Sequence, residues 1–531
     1  MERMLPMVPP PVLQPPGFDS IPLKTRVFAS EGELPRHAIF WDRPQLETEV
    51  QLIELRPGVY CLNHSLKLQQ MFGGARLRDA YTALQAGRGG DVDADLLSAL
   101  QDGGFLAEAG QSRDREHRRL MALEDQKEIA DPSFTLLRIL LTDQCNLACS
   151  YCKVIPNIDN PSKHPIAYER LDDVVKFYFT YSDPAKPKII HMTGGEPTIF
   201  FDTVRAIIEL KEKHERPNEN VWFVLGSNAT RIDAAKAKFL AEKDVKCIIS
   251  MDGPQEVHDT LRKNWVGKGS WAEVDRGIRL LKDAGAEVSI SMVLGQHTIH
   301  SAHNIIDWLM QEYQPTGLGV NFMKPPTPQQ KDYEYLIEPQ LYAETMYSIH
   351  KAFRDRGLFL ELVYRKLQPF VDQRYRYHDC GAAGGSTINV DAKGNIGPCK
   401  SFLVMKKLAL EDLNAEAYRN TVVARWRKRS PIYYEACTGC SARGMCGNGC
   451  AYDAAIHSHD EMAIDVRSCE YTKFFNRLFL QDLLDQVWQE DRASEAGWFH
   501  IPTLIERQKL LGDVRARPRT LSYSIGHQTS E

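Results

Sequence analysis

Between residues 134 and 323, six short apolar runs alternate with amphipathic helical patterns, and few chain paths satisfy such a series. The runs fall at 134–142, 188–194, 221–228, 247–253, 288–294 and 317–323. In the segments between them, Phe201, Val204 and Ile208 share one helical face, as do Trp271, Val274, Ile278 and Leu281. Parallel strands need a crossover of a dozen or so residues, which a helix supplies. The pattern therefore predicts an α/β chain built on a parallel sheet. In such sheets ligands sit at the C-terminal ends of the strands, so chemistry is expected in the loops that follow the runs.

The loop after the first run is Cys145-Asn146-Leu147-Ala148-Cys149-Ser150-Tyr151-Cys152, with three cysteines at CxxxCxxC spacing. Three thiolates leave one iron of a four-iron cluster without a protein ligand. A zinc knuckle or three unrelated core thiols is the plainer reading. Among metal-binding patterns, the loop most resembles the cluster loop of the radical S-adenosylmethionine (SAM) enzymes. The resemblance implies that Cys145, Cys149 and Cys152 ligate a [4Fe–4S] cluster, whose open iron chelates the amino and carboxylate groups of SAM. It implies that Tyr151 lies against the adenine. It also implies cleavage of SAM to methionine and a 5′-deoxyadenosyl radical, on an open, partial (β/α)6 TIM-like barrel.

Gly194-Gly195-Glu196-Pro197 ends the second run. Glycines let a backbone approach a ligand closely, and a carboxylate beside them accepts from an ammonium group. Alone, such a tetrapeptide is an ordinary turn. Placed here, it resembles the GGEP motif that contacts the SAM amino group. Ser227-Asn228 ends the third run. Ser250-Met251-Asp252-Gly253-Pro254 ends the fourth, continuing through His258-Asp259 and Arg262 to Gly267-Lys268-Gly269-Ser270-Trp271. That stretch resembles the S-x-DGP…HD…R…GKGS run of the radical SAM subgroup with a cysteine-rich C-terminal extension. The resemblance implies that Ser227, Asn228, Ser250, Asp252 and Arg262 line the SAM site, with Ser250 and Arg262 on its ribose and carboxylate. A surface salt bridge is the plainer role for Arg262.

The chain has twelve cysteines, and ten of them fall into two groups. Cys61 and Cys247 stand apart in apolar runs and read as core residues. In the second group, Cys380 is followed by thirteen residues, Gly394, four residues and Cys399; then come Cys437-x2-Cys440-x5-Cys446-x3-Cys450 and Cys469. A zinc site of four thiolates is chemically open to Cys437–Cys450. The complete array resembles the seven-cysteine SPASM pattern of enzymes that mature peptides and proteins. The resemblance implies two auxiliary [4Fe–4S] clusters, one on Cys437, Cys440, Cys446 and Cys469, the other on Cys380, Cys399 and Cys450. Some relatives add an eighth cysteine shortly after the first. Here residues 381–389 hold none, and Ser386 is the nearest polar side chain. The inner site then keeps an open iron or takes a non-cysteine ligand.

Residues 1–24 carry Pro9-Pro10-Pro11 and Pro15-Pro16 and read as extended or disordered. Residues 25–110 read as a small α+β domain, with a hairpin around Arg56-Pro57-Gly58, helical pieces, and Gly103-Gly104-Phe105-Leu106 at its end. It resembles the winged-helix domains of peptide-modifying enzymes that capture a leader peptide as an added strand. An unrelated cap is the alternative. A charged, solvated linker helix follows at 111–133. The partial barrel takes 134–335, a helical connection 336–379, the SPASM region 380–472 and C-terminal helices 473–512. A mobile tail closes the chain at 513–531.

With 43% apolar residues, 25% charged residues and a net charge of −5, the composition is that of a soluble globular protein, and nucleic acid is not its expected partner. No apolar run reaches the roughly 18 residues of a membrane span, and the N-terminus lacks a signal-peptide core. A cytoplasmic protein with no membrane partner is expected. The expected activity is hydrogen abstraction from a ribosomally made peptide or small protein, forming a thioether, carbon–carbon or ether crosslink. A flavodoxin- or ferredoxin-type protein is the expected electron donor. Two alternatives remain. One is a sulfatase maturase that makes formylglycine; relatives of that kind place a basic aspartate directly after the second SPASM cysteine, where this chain has Lys400. The other is a non-catalytic iron–sulfur scaffold. Asp379 and Asp391 are the candidate catalytic bases.

Overall fold

The computed structural model describes residues 44–107, 113–130, 133–158, 161–354, 358, 360–372, 374–487 and 498–500. The proline-rich segment 1–24 and the tail 513–531 lie outside these residues, as does most of 488–512.

The chain opens on an antiparallel meander of β1 (Val50–Arg56), β2 (Val59–His64) and β3 (Gln69–Gly73). Gly58, at φ +74°, makes the β1–β2 turn, a conformation that L side chains adopt at a cost. Helices Ala75–Gln85 and Ala94–Asp102 cover one face of this sheet, closing a small core of Leu62, Met71, Leu77, Leu96, Leu100 and Phe105. The other face gives Leu55, Cys61, Leu68 and Phe72 to the main core of the molecule. The N-terminal unit is thus welded to the rest by apolar burial.

Next come β4 (Leu136–Leu140), β5 (Lys188–Thr193), β6 (Val221–Ser227), β7 (Val245–Ser250), β8 (Val288–Leu294) and β9 (Leu318–Phe322). They pair in that order and in parallel, each within or close to its expected run. Alternate residues such as Leu137, Ile139, Ile190 and Met192 pack outward against the helices. Leu136, Ile189 and Val224 close the N-terminal end of the interior. The sequence showed six strands, but the sheet has eight. β10 (Thr387–Val390) lies parallel to β4, and β11 (Ile396–Gly397) turns back antiparallel to it. Four residues returning from so far along the chain carry no local periodicity that announces them.

Two further expectations change. The charged helix Arg113–Ala130 is not simply a solvated linker. Its Met121 is buried, and its Asp125 accepts from Arg427 at 2.7 Å, Lys428 at 2.7 Å and Tyr433 at 2.9 Å. Toward the C-terminus, β12 (Trp498–His500) pairs antiparallel with β3 and so occupies one edge of the sheet to which an added leader strand was expected. Helix Val466–Val487 shields the opposite edge, with Arg477 and Gln481 donating to the carbonyls of Glu54 and Leu55. A leader strand could therefore join β3 only after β12 leaves.

Candidate functional site

The cysteine loop leaves the C-terminal end of β4 and is tied down on both sides. Backbone bonds run from Gly195 N to Thr142 O at 2.8 Å and from Glu196 N to Gln144 O at 2.7 Å. A Cβ on Gly194 would stand 2.6 Å from Thr142 O, and one on Gly195 would stand 2.1 Å from Gln144 O. The glycines are there because two backbones must touch. On the other side Ala148 N donates to Lys263 O at 2.7 Å, Ser150 N to Leu261 O at 3.1 Å, and the Trp265 indole to Cys145 O at 2.8 Å.

The Glu196 carboxylate faces this scaffold. It accepts from Thr198 N at 3.0 Å, Thr198 Oγ1 at 2.5 Å, Ser227 Oγ at 2.7 Å and Asn228 N at 2.7 Å. Burial pushes its pKa up against those donors. Its visible work is to lock the strand ends of β5 and β6 together. Asn228 continues the link, donating to Asn146 Oδ1 at 3.1 Å.

Asp252 does the same for β7. It accepts from Tyr151 Oη at 2.6 Å, Val293 N at 2.9 Å, and Arg262 Nε and Nη2 at 2.7 and 3.1 Å. Burial alone would raise its pKa, but Arg262 and the other donors hold it below the usual carboxylate range. Arg262 is therefore buried and committed to Asp252, not in a surface salt bridge, and stands 5.2 Å from the Tyr151 ring. His258 and Asp259 hold the following loop: His258 Nε2 lies 3.1 Å from Ser270 Oγ, and Asp259 accepts from Ser270 N and Trp271 N at 2.8 Å. Ser250 ends β7 beside Ser291 of β8. Removing one member of a buried ion pair costs about 3–5 kcal/mol. Asp252→Ala is expected to lower the melting temperature and to loosen Tyr151, which a thermal melt and limited proteolysis near residue 151 would register.

The three thiols of the loop are charge neighbours of one another and form no disulfide. Burial pushes Cys145 up to about 12, despite the Leu147 N–H at 3.4 Å. Burial likewise pushes Cys149 up to about 11, against the pull of Arg262. The positive charge of a metal core would stabilise the thiolates that burial disfavours. In the second group Cys437, Cys440, Cys446 and Cys469 are mutual neighbours, and burial, then the adjacent thiols, lifts Cys437 to about 12. Cys380 neighbours Cys399, and Cys399 and Cys450 pack around Phe402, Trp426 and Tyr452. The tertiary structure thus makes Cys437, Cys440, Cys446 and Cys469 neighbours and sets Cys380 beside Cys399, while among the described residues no three thiols, imidazoles or carboxylates close to metal-holding distance.

The two candidate bases sit in different surroundings. Asp379 is surrounded by Lys366 at 2.9 Å, Arg376 at 3.7 Å and Arg365 at 3.9 Å, and despite burial these cations hold it far below the usual carboxylate range. Asp391 accepts from Lys393 N, Asn395 N and Asn395 Nδ2 in the β10–β11 turn.

Sequence reasoning missed the interior cations. Arg138 of β4 and His191 of β5 are register partners, with Arg138 Nε 3.4 Å from His191 Nδ1. Burial, then Arg138 and Lys400, keeps His191 neutral. Burial, then Arg138 and Lys153, pushes Lys400 down to about 8. One signal was visible: a single arginine inside the otherwise apolar β4, Leu136–Leu140.

Residues 139–309 match the model of the Radical SAM superfamily. The chain is 25% identical over 374 residues to a cysteine-type anaerobic sulfatase-maturating enzyme of Clostridium perfringens, covering 66% of this chain and 97% of that one. A structure of anSMEcpe with bound AdoMet and Cp18Cys peptide aligns with a TM-score of 0.54 at 21% identity, covering 66% of this chain and 98% of its own. Streptococcus suis SuiB bound to S-adenosylmethionine aligns with a TM-score of 0.51 at 12% identity, over 80% of this chain and 99% of its own. Among the described residues no helix is long and apolar enough to cross a membrane.

Proposed function

From a chain that is a radical SAM maturase by its domain and its homology, we infer an enzyme that crosslinks side chains of a ribosomally made peptide or small protein. Cys145, Cys149 and Cys152 hold the SAM-binding cluster in this reading. Cys437, Cys440, Cys446 and Cys469 hold one auxiliary cluster, and Cys380, Cys399 and Cys450 the other. When bound, the first cluster and SAM supply a one-electron cleavage whose radical product takes a hydrogen atom from carbon. The protein's part is position and exclusion of water. Tyr151 is fixed by Asp252, and the loop of Gly194–Pro197 offers close-lying backbone to the SAM amino group. Ser250 and the Arg262–Asp252 pair border the remainder of SAM.

One observation carries the crosslinking reading over formylglycine formation. The residue after Cys399 is Lys400, a cation among cations, where a sulfatase-type maturase is expected to hold an aspartate base. The second reading keeps its own support, since the relative named above is a sulfatase-maturating enzyme aligned over 97% of its length.

The test is co-expression, without oxygen, of the short reading frames beside the gene, followed by intact-mass and fragmentation analysis. A peptide that loses two hydrogens, shows no fragments between two residues and does not react with a carbonyl probe is the expected product. Carbonyl reactivity at a single cysteine or serine would move the assignment to formylglycine formation.

A further inference from the structure

A small hairpin stands against the outside of the cysteine loop, closed by the bridge between Lys263 and Gly269. Its tip exposes two large apolar side chains in succession, Trp265 at 64% and Val266 at 87%. Single exposed apolar residues are ordinary, but adjacent ones on a rigid support mark an interaction site. The support here is rigid. Asn264 Oδ1 accepts from Val266 N at 3.1 Å and from Lys268 N at 2.9 Å, and Gly267, at φ +81°, completes the turn. The base of the hairpin rests on Asp259, which a Cβ on Gly269 would meet at 2.1 Å. The tip is also tied to the first thiol, since the Trp265 indole donates to Cys145 O at 2.8 Å. A tryptophan held in place before a partner arrives loses little entropy on binding, which is what an interface anchor needs.

The surface around this tip is basic. Lys263 and Lys268 of the hairpin are both exposed. Asn146 donates to Thr230 Oγ1 at 2.8 Å, and the next residue, Arg231, is exposed. Gln144 Nε2 donates to Ser162 O at 2.7 Å, and the next residue, Lys163, is exposed. Segments 161–165, 229–232 and 263–269 thus bring four cations to the end of the loop at residues 144–148, and none of the three contains a carboxylate. The carboxylates just beyond them are engaged, Asp233 with Lys236 at 2.9 Å and Asp259 with Ser270 N and Trp271 N. At the other end of the loop the sign changes. Tyr333 Oη donates to Ser150 Oγ at 3.0 Å, and exposed Asp332 and Glu334 flank it. The basic, apolar patch is therefore confined to the Cys145 side.

We propose that the Trp265–Val266 tip and its rim of Lys163, Arg231, Lys263 and Lys268 form the docking surface for an acidic one-electron donor protein of the flavodoxin or ferredoxin type. This rests on the radical SAM reading, in which reductive cleavage of SAM consumes one electron that the reduced donor gives up. Flavodoxins and ferredoxins are acidic, so the rim steers them, and the apolar tip gives the encounter a fixed centre. A substrate peptide has to reach the strand ends inside the barrel, whereas Val266 faces solvent on the outer side of the loop.

Binding of each flavodoxin and ferredoxin of the source genome, in oxidised form, to the reconstituted holoenzyme with SAM is measured by calorimetry. At least one is expected to bind, and to lose about tenfold or more in affinity between roughly 50 mM and 200 mM salt. Val266→Asp, and separately Lys263→Glu with Lys268→Glu, should each weaken that binding by about tenfold or more. Arg78→Glu with Arg88→Glu makes the same change in net charge on the N-terminal unit and should leave binding unaltered. In Val266→Asp, formation of 5′-deoxyadenosine driven by dithionite should stay at the parent rate, while the initial rate driven by a limiting amount of reduced donor protein falls with the affinity. Absence of binding by every donor of the genome overturns the proposal. So does binding that survives both tip variants, or that falls equally in the remote Arg78 and Arg88 variant. Loss of peptide binding in Val266→Asp, with donor binding intact, overturns it in favour of a substrate surface. No peptide is needed for donor binding, so its failure and an absence of crosslinked product are read independently.

Discussion

Cys149→Ala is expected to yield a folded protein that no longer cleaves SAM. Formation of 5′-deoxyadenosine under reducing conditions should fall by roughly a thousandfold or more, which corresponds to about 4 kcal/mol of barrier. Cys149 is the middle thiol of the loop and a charge neighbour of Cys152 and Arg262. Two remaining thiols cannot hold a four-iron core with one open site. The fold should survive because the loop does not depend on this sulfur. Its backbone is held by Ala148 N to Lys263 O at 2.7 Å, by the Leu147–Asn264 bridge and by the Trp265 indole. Circular dichroism and a thermal melt close to those of the parent, with iron lost but absorbance from the second cysteine group retained, would complete the expected result. Cleavage at the parent rate would mean that the SAM site is elsewhere.

The second large effect is expected from Glu49→Ala, far from the barrel mouth in sequence. Glu49 lies in the N-terminal unit and is fully buried. It accepts from Arg443 Nη1 at 2.7 Å, Gly439 N at 3.2 Å and Ser65 Oγ at 3.2 Å. Both Gly439 and Arg443 belong to the loop that carries Cys437, Cys440 and Cys446. Without Glu49, the buried Arg443 guanidinium keeps Asp114 at 2.8 Å as its one carboxylate. Leaving a buried charge undercompensated costs about 3–5 kcal/mol. The expected result is release of iron from the second cysteine group and new proteolytic cleavage between residues 434 and 450, with SAM cleavage retained. An iron content and digestion pattern like those of the parent would show that the loop is held by other means.

The same contacts decide how truncations are to be read. Asn63 Nδ2 donates to Ser441 O at 3.0 Å, and Leu55, Cys61, Leu68 and Phe72 belong to the main core. Deleting the N-terminal unit would therefore strip the wall of the second cysteine group along with any peptide-binding surface. Loss of peptide modification in such a variant does not by itself identify a leader site. Removing β12 alone is the cleaner cut, because it uncovers the β3 edge without touching Glu49.

Much of the molecule was legible in the residues because the signals were local. The six strand–helix units follow from periodicity, since each apolar face must be buried by its nearest neighbour in the chain. The CxxxCxxC loop, the Gly194–Pro197 turn and the Asp252–Ser270 run each pack into a few consecutive residues the geometry that their chemistry needs. The grouping of seven later cysteines into a four and a three was available only through resemblance; the structure makes neighbours of Cys437, Cys440, Cys446 and Cys469, and of Cys380 and Cys399.

What only the tertiary structure decided is pairing between distant residues, where no spacing rule operates. Asp379 reads as a base until Lys366, Arg365 and Arg376 close around it, and a charge so compensated has no reason to take a proton. Arg262 reads as a surface charge until burial and Asp252 claim its guanidinium. The strand that covers the edge of β3, residues 498–500, arrives from the other end of the chain. Arg138, His191 and Lys400 come from three separate segments, and only the folded sheet makes neighbours of them.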